Sequence, residues 1–202
     1  MTSKPVIDFS VIPAARLPED EYRSVHRLFQ QAYQDANTAY LEKSFAKLGY
    51  IALATVEQTL IGFALADAVR TPLPRLEDEQ VIVLAGICCV DSDYRRMGLF
   101  SRLELMAAGA NGLLRGDIRV LACGRMAHPA SFRVISRTPA VIPKPGVPLS
   151  SWHKEVSLKV AELYGVRIDP ETLIVIGDGE PIGYPKIIQD VTEEEASLFK
   201  IG

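Results

Sequence analysis

A run of ten apolar residues, from Val81 to Val90, constrains the fold of this chain more than any other feature. The run does not alternate with polar residues, as a half-exposed strand does, and it is rich in valine and isoleucine. It is also far shorter than the ~20 apolar residues of a membrane-spanning helix. We therefore expect a strand buried on both faces, which requires a sheet with helices on both sides.

The neighbouring segments predict further helices and strands, because apolar residues recur at helical spacing in some and form short continuous runs in others. Before the buried strand we expect a helix from Pro18, a helix over 38–48 stopped by Gly49, a hairpin of 50–56 and 60–69, and a loop over 71–79. After the strand we expect a helix that Gly112 or Gly116 ends, with one apolar face formed by Leu99, Leu103, Met106, Ala110 and Leu113. A strand over 117–123 and a short helix over 129–137 should follow. This order predicts an α/β fold of the mixed-sheet, α+β kind.

Four prolines between residues 139 and 148 mark the best candidate for a boundary. The segment beyond them predicts one helix, marked by Trp152, Val156, Val160 and Leu163 and ended by Gly165, and two strands, over 173–176 and around Ile182, joined by the turn 177–179. We therefore expect a core of residues 1–138 and a C-terminal extension of residues 139–202 packed on the same domain. The extension is expected to shape acceptor choice or dimer contacts, or to cover a sheet edge.

Composition excludes several classes of function. The 202-residue chain has a formal net charge of -3, which does not favour nucleic acid as a partner. Its three cysteines, two of them adjacent, support neither a disulfide framework nor a metal site. The first residues lack the pattern of a secretory signal and no window is apolar enough to cross a membrane, so we expect a cytoplasmic location.

A short polar turn joins the buried strand to the next helix, within residues 88–100. The first N–H groups of a helix have no partner inside it and carry partial positive charge, so a diphosphate can bind there. Gly98 lacks the Cβ that would hold phosphates away from the backbone. Arg95 and Arg96, with Arg102 nearby, add positive charge and forked donors. The turn therefore indicates a site for a polyanionic ligand.

The turn resembles that of the GNAT superfamily of acyl-CoA-dependent N-acyltransferases. The pattern of that superfamily is Arg/Gln-x-x-Gly-x-Gly/Ala, preceded by a strand that ends in Val-x-Pro-x-Tyr. Residues 90–100 fit it except at Ser92, which replaces proline, and at Phe100, which replaces a small residue. The element order from Pro18 to Arg137 also follows the superfamily, so the resemblance covers about two thirds of the chain.

The resemblance implies that acetyl-CoA or another acyl-CoA is the co-substrate. The backbone of the strand end would pair with the pantetheine arm, and the amides of the turn would hold the pyrophosphate. The cofactor-binding residues implied in this way are Cys88, Cys89, Val90, Arg95, Arg96, Met97, Gly98, Leu99, Phe100 and Ser101. The expected activity is transfer of an acetyl group to a small-molecule or peptide amine by direct attack in a ternary complex.

The residues that would carry proton transfer are less clear. In the pattern typical of the superfamily, a tyrosine after the fifth strand is the general acid, but Ile135 stands at that position. His128, Ser131 and Tyr94 are the candidate substitutes, each with a structural role as the alternative. His26 and His153 are expected on helix surfaces. The absence of the tyrosine leaves a second hypothesis open, a catalytically inactive acyl-CoA sensor or interaction module.

Two acids are candidates for binding the amine, Asp67 and Glu79, the second within the acidic cluster of residues 77–79. A solvated charged face is the alternative interpretation of that cluster. Cys88 and Cys89 could in principle carry an acyl group. Because they lie in an apolar strand, we interpret them as inert buried thiols.

Overall fold

A computed structural model describes residues 5–116, 118–126, 132–133, 135, 140–144, 146–176, 184–185 and 192–193. The elements are strands β1 Asp8–Pro13, β2 Tyr33–Gln34, β3 Tyr50–Val56, β4 Thr59–Pro72, β5 Glu79–Val90, β6 Val120–Gly124, β7 Arg167–Ile168, β8 Val175–Ile176 and β9 Tyr184–Pro185, and helices α1 Glu19–Ala32, α2 Thr38–Lys47, α3 Leu99–Gly109 and α4 Ser151–Tyr164. The predicted mixed α/β class is confirmed.

Five strands form the main sheet, in the order β1-β3-β4-β5-β6. All neighbours are antiparallel except β5 and β6, which are parallel and are connected through α3. The predicted hairpin is confirmed as β3 and β4, and its tight turn places Glu57 and Gln58 at positive φ. β1 is an edge strand that the sequence analysis missed, although its polar and apolar residues alternate in part.

Helices cover both faces of β5, as its composition predicts. One hydrophobic cluster lies on the face of α1, α2 and α4 and includes Phe29, Leu41 and Val156. A second lies on the face of α3 and includes Leu99 and Leu103. β5 contributes Ile82, Leu84, Ile87 and Cys89 to the first cluster and Val83, Cys88 and Val90 to the second.

Two predicted boundaries near the sheet were wrong. β4 continues to Pro72 and β5 begins at Glu79, so the connecting loop is shorter than expected. α3 ends at Gly109, before either glycine that was expected to end it, and Leu113 lies outside the helix. The side chain of Asn111 donates to the carbonyl oxygen of Ala68 at 2.6 Å and accepts from the Leu113 amide at 3.0 Å. These bonds tie the chain to β4 and explain why the helix stops early.

The C-terminal part is described only in pieces. α4 has the predicted position, with Ser150 as its N-cap and Gly165 in a left-handed conformation at its end. β8 pairs with β7, a pairing that the sequence analysis did not predict. The turn 177–179 and Ile182 itself lie outside the described residues. β9 pairs with β2, directly after α1.

Within these described ranges, no helix combines the length and the apolar character needed to cross a bilayer.

Candidate functional site

β5 and β6 pair along the first half of β5 and then diverge, and we call the opening between them the fork. Their pairing ends at Ala85 and Gly124. In the described part of the chain, residues 86–90 of β5 therefore have a strand neighbour only on the β4 side. An unpaired strand edge can accept an extended ligand as an added strand.

A β-bulge lies at the start of the fork. Ala64 pairs with Cys88 but Ala66 pairs with Ala85, so two residues of β5 stand opposite one residue of β4. A bulge bends its strand, which is consistent with the separation of β5 from β6. A Cβ at Gly86 would lie 2.7 Å from the carbonyl oxygen of Leu65, so the bulge has room only for glycine. The glycine within the apolar run was the available sequence signal.

The direction of the backbone groups on β5 follows from one hydrogen bond at its end. The Asp91 amide donates to the Ile61 carbonyl at 2.8 Å, towards β4. Because backbone groups alternate in direction along an antiparallel pair, the N–H and C=O groups of Cys88 and Val90 point towards the fork. The Val90 carbonyl accepts a bond from Arg95 Nε at 3.3 Å.

The turn after β5 presents its amides outward. Residues 92–94 form one turn of 3-10 helix, and the Asp91 carboxylate accepts from the Asp93 amide at 2.9 Å. Arg96 and Gly98 then adopt positive φ angles of 65° and 77°. The first helical bond of α3 joins the Arg102 amide to the Gly98 carbonyl, at 3.3 Å. Across the described residues, no acceptor is in place for the N–H groups of residues 96–101.

The surroundings of this turn are open, and the exposed guanidinium of Arg96 lies in the same turn as the carboxylates of Asp91 and Asp93. Arg96 and Gly98 are exposed, whereas Leu99 is buried and anchors the start of α3. A Cβ at Gly98 would meet nothing within 4 Å. Arg102 does not join this group, because its guanidinium lies over the Phe9 ring, 3.5 Å from the centroid. The turn therefore has the donors and the space that an anion requires.

A cavity of about 360 Å³ lies beside the turn, between it and the last turns of α1. Its lining combines apolar groups from α1 and the end of β5 with polar groups of the turn: Leu28, Gln31, Ala32, Val90, Asp91, Ser92, Asp93 and Arg95.

From α1 to β6 the chain has the element order that the resemblance implied, including the turn between β5 and α3.

No protein-family model matches the chain, and no curated protein matches it. Several solved structures that are similar to it are named as acetyltransferases. The aminoglycoside N-acetyltransferase AAC(6')-Iy in complex with CoA has 15% identity and a TM-score of 0.46, with 75% of this chain and 98% of that chain covered. An aminoglycoside acetyltransferase from an uncultured soil metagenomic sample has 15% identity and a TM-score of 0.44, with 71% and 94% covered. Ribosomal-protein-alanine N-acetyltransferase from Brucella melitensis biovar Abortus 2308 has 14% identity and a TM-score of 0.46, with 72% and 99% covered.

The two thiols of β5 are poor nucleophiles. Burial raises the pKa of Cys88 well above its ordinary value. Burial also raises the pKa of Cys89, although a hydrogen bond with Tyr33 and the charge of Arg95 partly offset this. Since only a thiolate attacks readily, both groups are expected to behave as apolar side chains.

The predicted proton-transfer residues are only partly described. His128 and Ser131 lie outside the described residues. Ile135 is helical and half-buried, within the segment where a short helix was expected. The ring of Tyr94 packs against the second hydrophobic cluster, on the α3 side of the sheet, which is the structural role given as its alternative.

The remaining histidines have partners that the sequence did not suggest. His26 Nε2 lies 2.8 Å from Glu42 Oε1, which connects α1 to α2. His153 closes the capping box of α4 with Ser150. Neither lies in the fork. Where the chain is described, no group of three or more histidine, cysteine or acidic side chains could hold a metal ion.

The two predicted acceptor-binding acids are not close to the turn. Asp67 accepts from the Gly49 amide at 3.1 Å, from the Ala68 amide at 2.7 Å and from Asn111 Nδ2 at 3.1 Å. Its carboxylate therefore holds protein groups together at the point where β3 begins. Glu79 is exposed at the first residue of β5, at the opposite end of the strand from the turn. Their role towards an amine stays a prediction.

Two residues near the fork were missed by the sequence analysis. The Tyr164 hydroxyl lies 2.8 Å from the Ala85 carbonyl oxygen and 2.9 Å from that of Cys123. Glu104, on α3, is largely buried, and this burial raises its pKa to about 7. Its charge acts on both the Cys88 thiol and the Tyr164 hydroxyl. An acid between leucines in an otherwise apolar helix was the available signal for Glu104.

Proposed function

We propose that this protein is an acyl-CoA-dependent N-acyltransferase that transfers an acetyl group to a small-molecule or peptide amine. One observation carries the proposal: among the described residues, the N–H groups of residues 96–101 have no acceptor, and only residues 91–95 separate them from a strand end, residues 86–90, that has no neighbour on the β6 side. The first feature suits a diphosphate and the second suits an extended arm with amide groups. Acyl-CoA has both parts joined in one molecule.

The residues of the turn fit the diphosphate of acyl-CoA. The exposed guanidinium of Arg96 and the outward amides would bind its oxygens, and the open space at Gly98 would let it approach the backbone. The fork-facing groups of Cys88 and Val90 would pair with the arm. Bound in this way, acyl-CoA supplies a thioester, an activated acyl group that a neutral amine can attack.

We favour direct transfer to the amine over a covalent acyl-enzyme. The raised pKa of Cys88 and of Cys89 disfavours the thiolate that a covalent route requires. In direct transfer, the amine nitrogen bonds to the acyl carbon, the carbon–sulfur bond breaks, and the sulfur leaves with the electron pair. The nitrogen loses one proton and the sulfur gains one, so the products are the amide and the free thiol of CoA. An N–H group on the fork side of β5 would stabilise the developing oxyanion.

Isothermal titration with CoA and with acetyl-CoA tests the proposal. We expect saturable binding, and we expect Arg96→Ala to weaken it about tenfold or more, because a charge-assisted bond to phosphate contributes about 1.5–3 kcal/mol. Arg23→Ala is the matched control, since Arg23 is an exposed arginine on α1 that pairs with Glu19. Absence of heat and of displacement by CoA would overturn the proposal.

A second candidate function is an acyl-CoA-binding protein without transfer activity, a sensor or interaction module. The half-buried Ile135 at the usual position of the general acid favours it. A thiol-release assay with a broad panel of amines separates the two. The enzyme releases free CoA with at least one amine, whereas the sensor binds acetyl-CoA and releases none.

A further inference from the structure

Tyr164, the last residue of α4, reaches the point where β5 and β6 part. Its hydroxyl is within hydrogen-bonding distance of Ala85 and Cys123, one carbonyl from each strand. Ala85 is the last β5 residue paired with β6. The hydroxyl therefore stands at the inner end of the fork.

The tyrosine ring is held firmly in this position. It packs against the first hydrophobic cluster, on the face of α1 and α2. Burial raises the pKa of the hydroxyl well above its ordinary value, so the group is neutral at physiological pH. The neutral hydroxyl has one proton, which it donates to one of the two carbonyl oxygens at a time, and it places no charge in the fork.

Other side chains fill the space around the same point. Leu48 occupies the position that a Cβ of Gly86 would need, on the side of the first cluster. On the opposite side, the Cys88 thiol is buried and lies 4.0 Å from the Phe100 carbonyl oxygen. Tyr164, Leu48 and Cys88 therefore lie around the inner end of the fork, where β5 last pairs with β6 in the described part of the chain.

We propose that Tyr164 closes the inner end of the fork and thereby restricts the transferred acyl group to short chains. A ligand that enters at the turn and follows β5 from Val90 to Ala85 travels about 16 Å before it meets this hydroxyl, at 3.3 Å per residue. The acyl group is the leading end of such a ligand, so its length determines whether it fits. This inference rests on the proposed function, because it assumes that the ligand is acyl-CoA.

The test compares the dissociation constants of CoA, acetyl-CoA, butyryl-CoA and hexanoyl-CoA for the full chain by isothermal titration. We expect acetyl-CoA to bind as well as CoA, and hexanoyl-CoA to bind at least tenfold more weakly. In Tyr164→Leu, which keeps a buried apolar side chain but is shorter, the difference between acetyl-CoA and hexanoyl-CoA should fall to threefold or less. Tyr164→Phe keeps the ring and removes only the hydroxyl at the end of the fork, so it should reduce the discrimination measurably but less than Tyr164→Leu does.

The outcomes distinguish this inference from the proposed function. If the unmodified protein binds no CoA, the proposed function fails and the inference fails with it. If the unmodified protein binds CoA but binds hexanoyl-CoA as tightly as acetyl-CoA, only the inference is overturned. A folded Tyr164→Leu variant with unchanged discrimination also overturns it. Circular dichroism establishes whether Tyr164→Leu folds. If it does not fold, the acyl-CoA dissociation constants of the unmodified protein and of Tyr164→Phe decide whether the discrimination depends on Tyr164.

Discussion

Gly98 combines a left-handed backbone with empty space in front of it, at the start of α3. An L-residue in this conformation costs about 1–2 kcal/mol, whatever space its side chain has. Gly98→Ala should therefore lower the free energy of unfolding by about this amount. It should also weaken CoA binding, because the new methyl group would stand where we place the diphosphate. Thermal unfolding and isothermal titration measure the two effects.

Gly116 offers a matched control for this substitution. Its φ is also positive, at 62°, and a Cβ there would also meet nothing within 4 Å. Gly116→Ala should cost a similar free energy of unfolding but leave CoA affinity unchanged. Equal loss of CoA affinity in both variants would show that strain alone, rather than the position of Gly98, is responsible.

Between elements, Asn111 links the end of α3 to the middle of β4. Its side chain bonds to Asp67, to the Ala68 carbonyl and to the Leu113 amide. Asn111→Ala leaves these half-buried groups without their partner, so we expect a loss of about 1–3 kcal/mol in urea unfolding. Gln80→Ala removes one exposed hydrogen bond, from the side-chain amide to the Asp78 carbonyl oxygen. It should change the free energy of unfolding by less than about 0.5 kcal/mol. Equal losses in the two variants would contradict the structural role of Asn111.

The sequence predicted those elements whose pattern is local. α1, α2 and the β3–β4 hairpin have helical spacing, caps or a tight turn within a few residues, and their bounds agree with the expected ones to within about two residues, except that β4 continues to Pro72. The end of α3 was missed because it depends on Asn111 reaching β4, more than forty residues earlier in the chain. Short-range patterns do not contain that information.

In the candidate site, too, the features with a local pattern were predicted and those that depend on long-range contacts were missed. The turn with Gly98 was found because its residues are consecutive, and its outward amides follow from helix geometry. The bulge at Gly86 and the early end of β6 decide where the fork opens, and both depend on pairing between strands. Tyr164 was missed because it bonds to residues 79 and 41 positions earlier.

At the scale of the whole molecule, the buried carboxyl of Glu104 couples folding to pH. Its pKa is about 7 in the fold and near its ordinary value of 4.5 when unfolded. Between these values the unfolded chain releases a proton that the folded chain keeps, so the free energy of unfolding decreases as pH rises from 4.5 to 7. The decrease should be on the order of 3 kcal/mol and should level off above pH 7.

Urea unfolding of Glu104→Gln at pH 5 and pH 8 tests this coupling. The amide does not titrate, so the variant should be more stable than the unmodified protein at pH 8 and should lose less stability between the two values. Glu77→Gln, at an exposed position in the loop between β4 and β5, should show the pH dependence of the unmodified protein. If Glu104→Gln follows that same dependence, another group is responsible for it.

The position of Tyr164 in the chain has a consequence for how the molecule is assembled during translation. Both strands of the fork leave the ribosome well before the helix that supplies this tyrosine, since synthesis runs from the N-terminus to the C-terminus. The two strands can pair, and the outward amides can form, on a nascent polypeptide that still lacks the hydroxyl. When α4 is added, its tyrosine closes the inner end of a fork that was open until then.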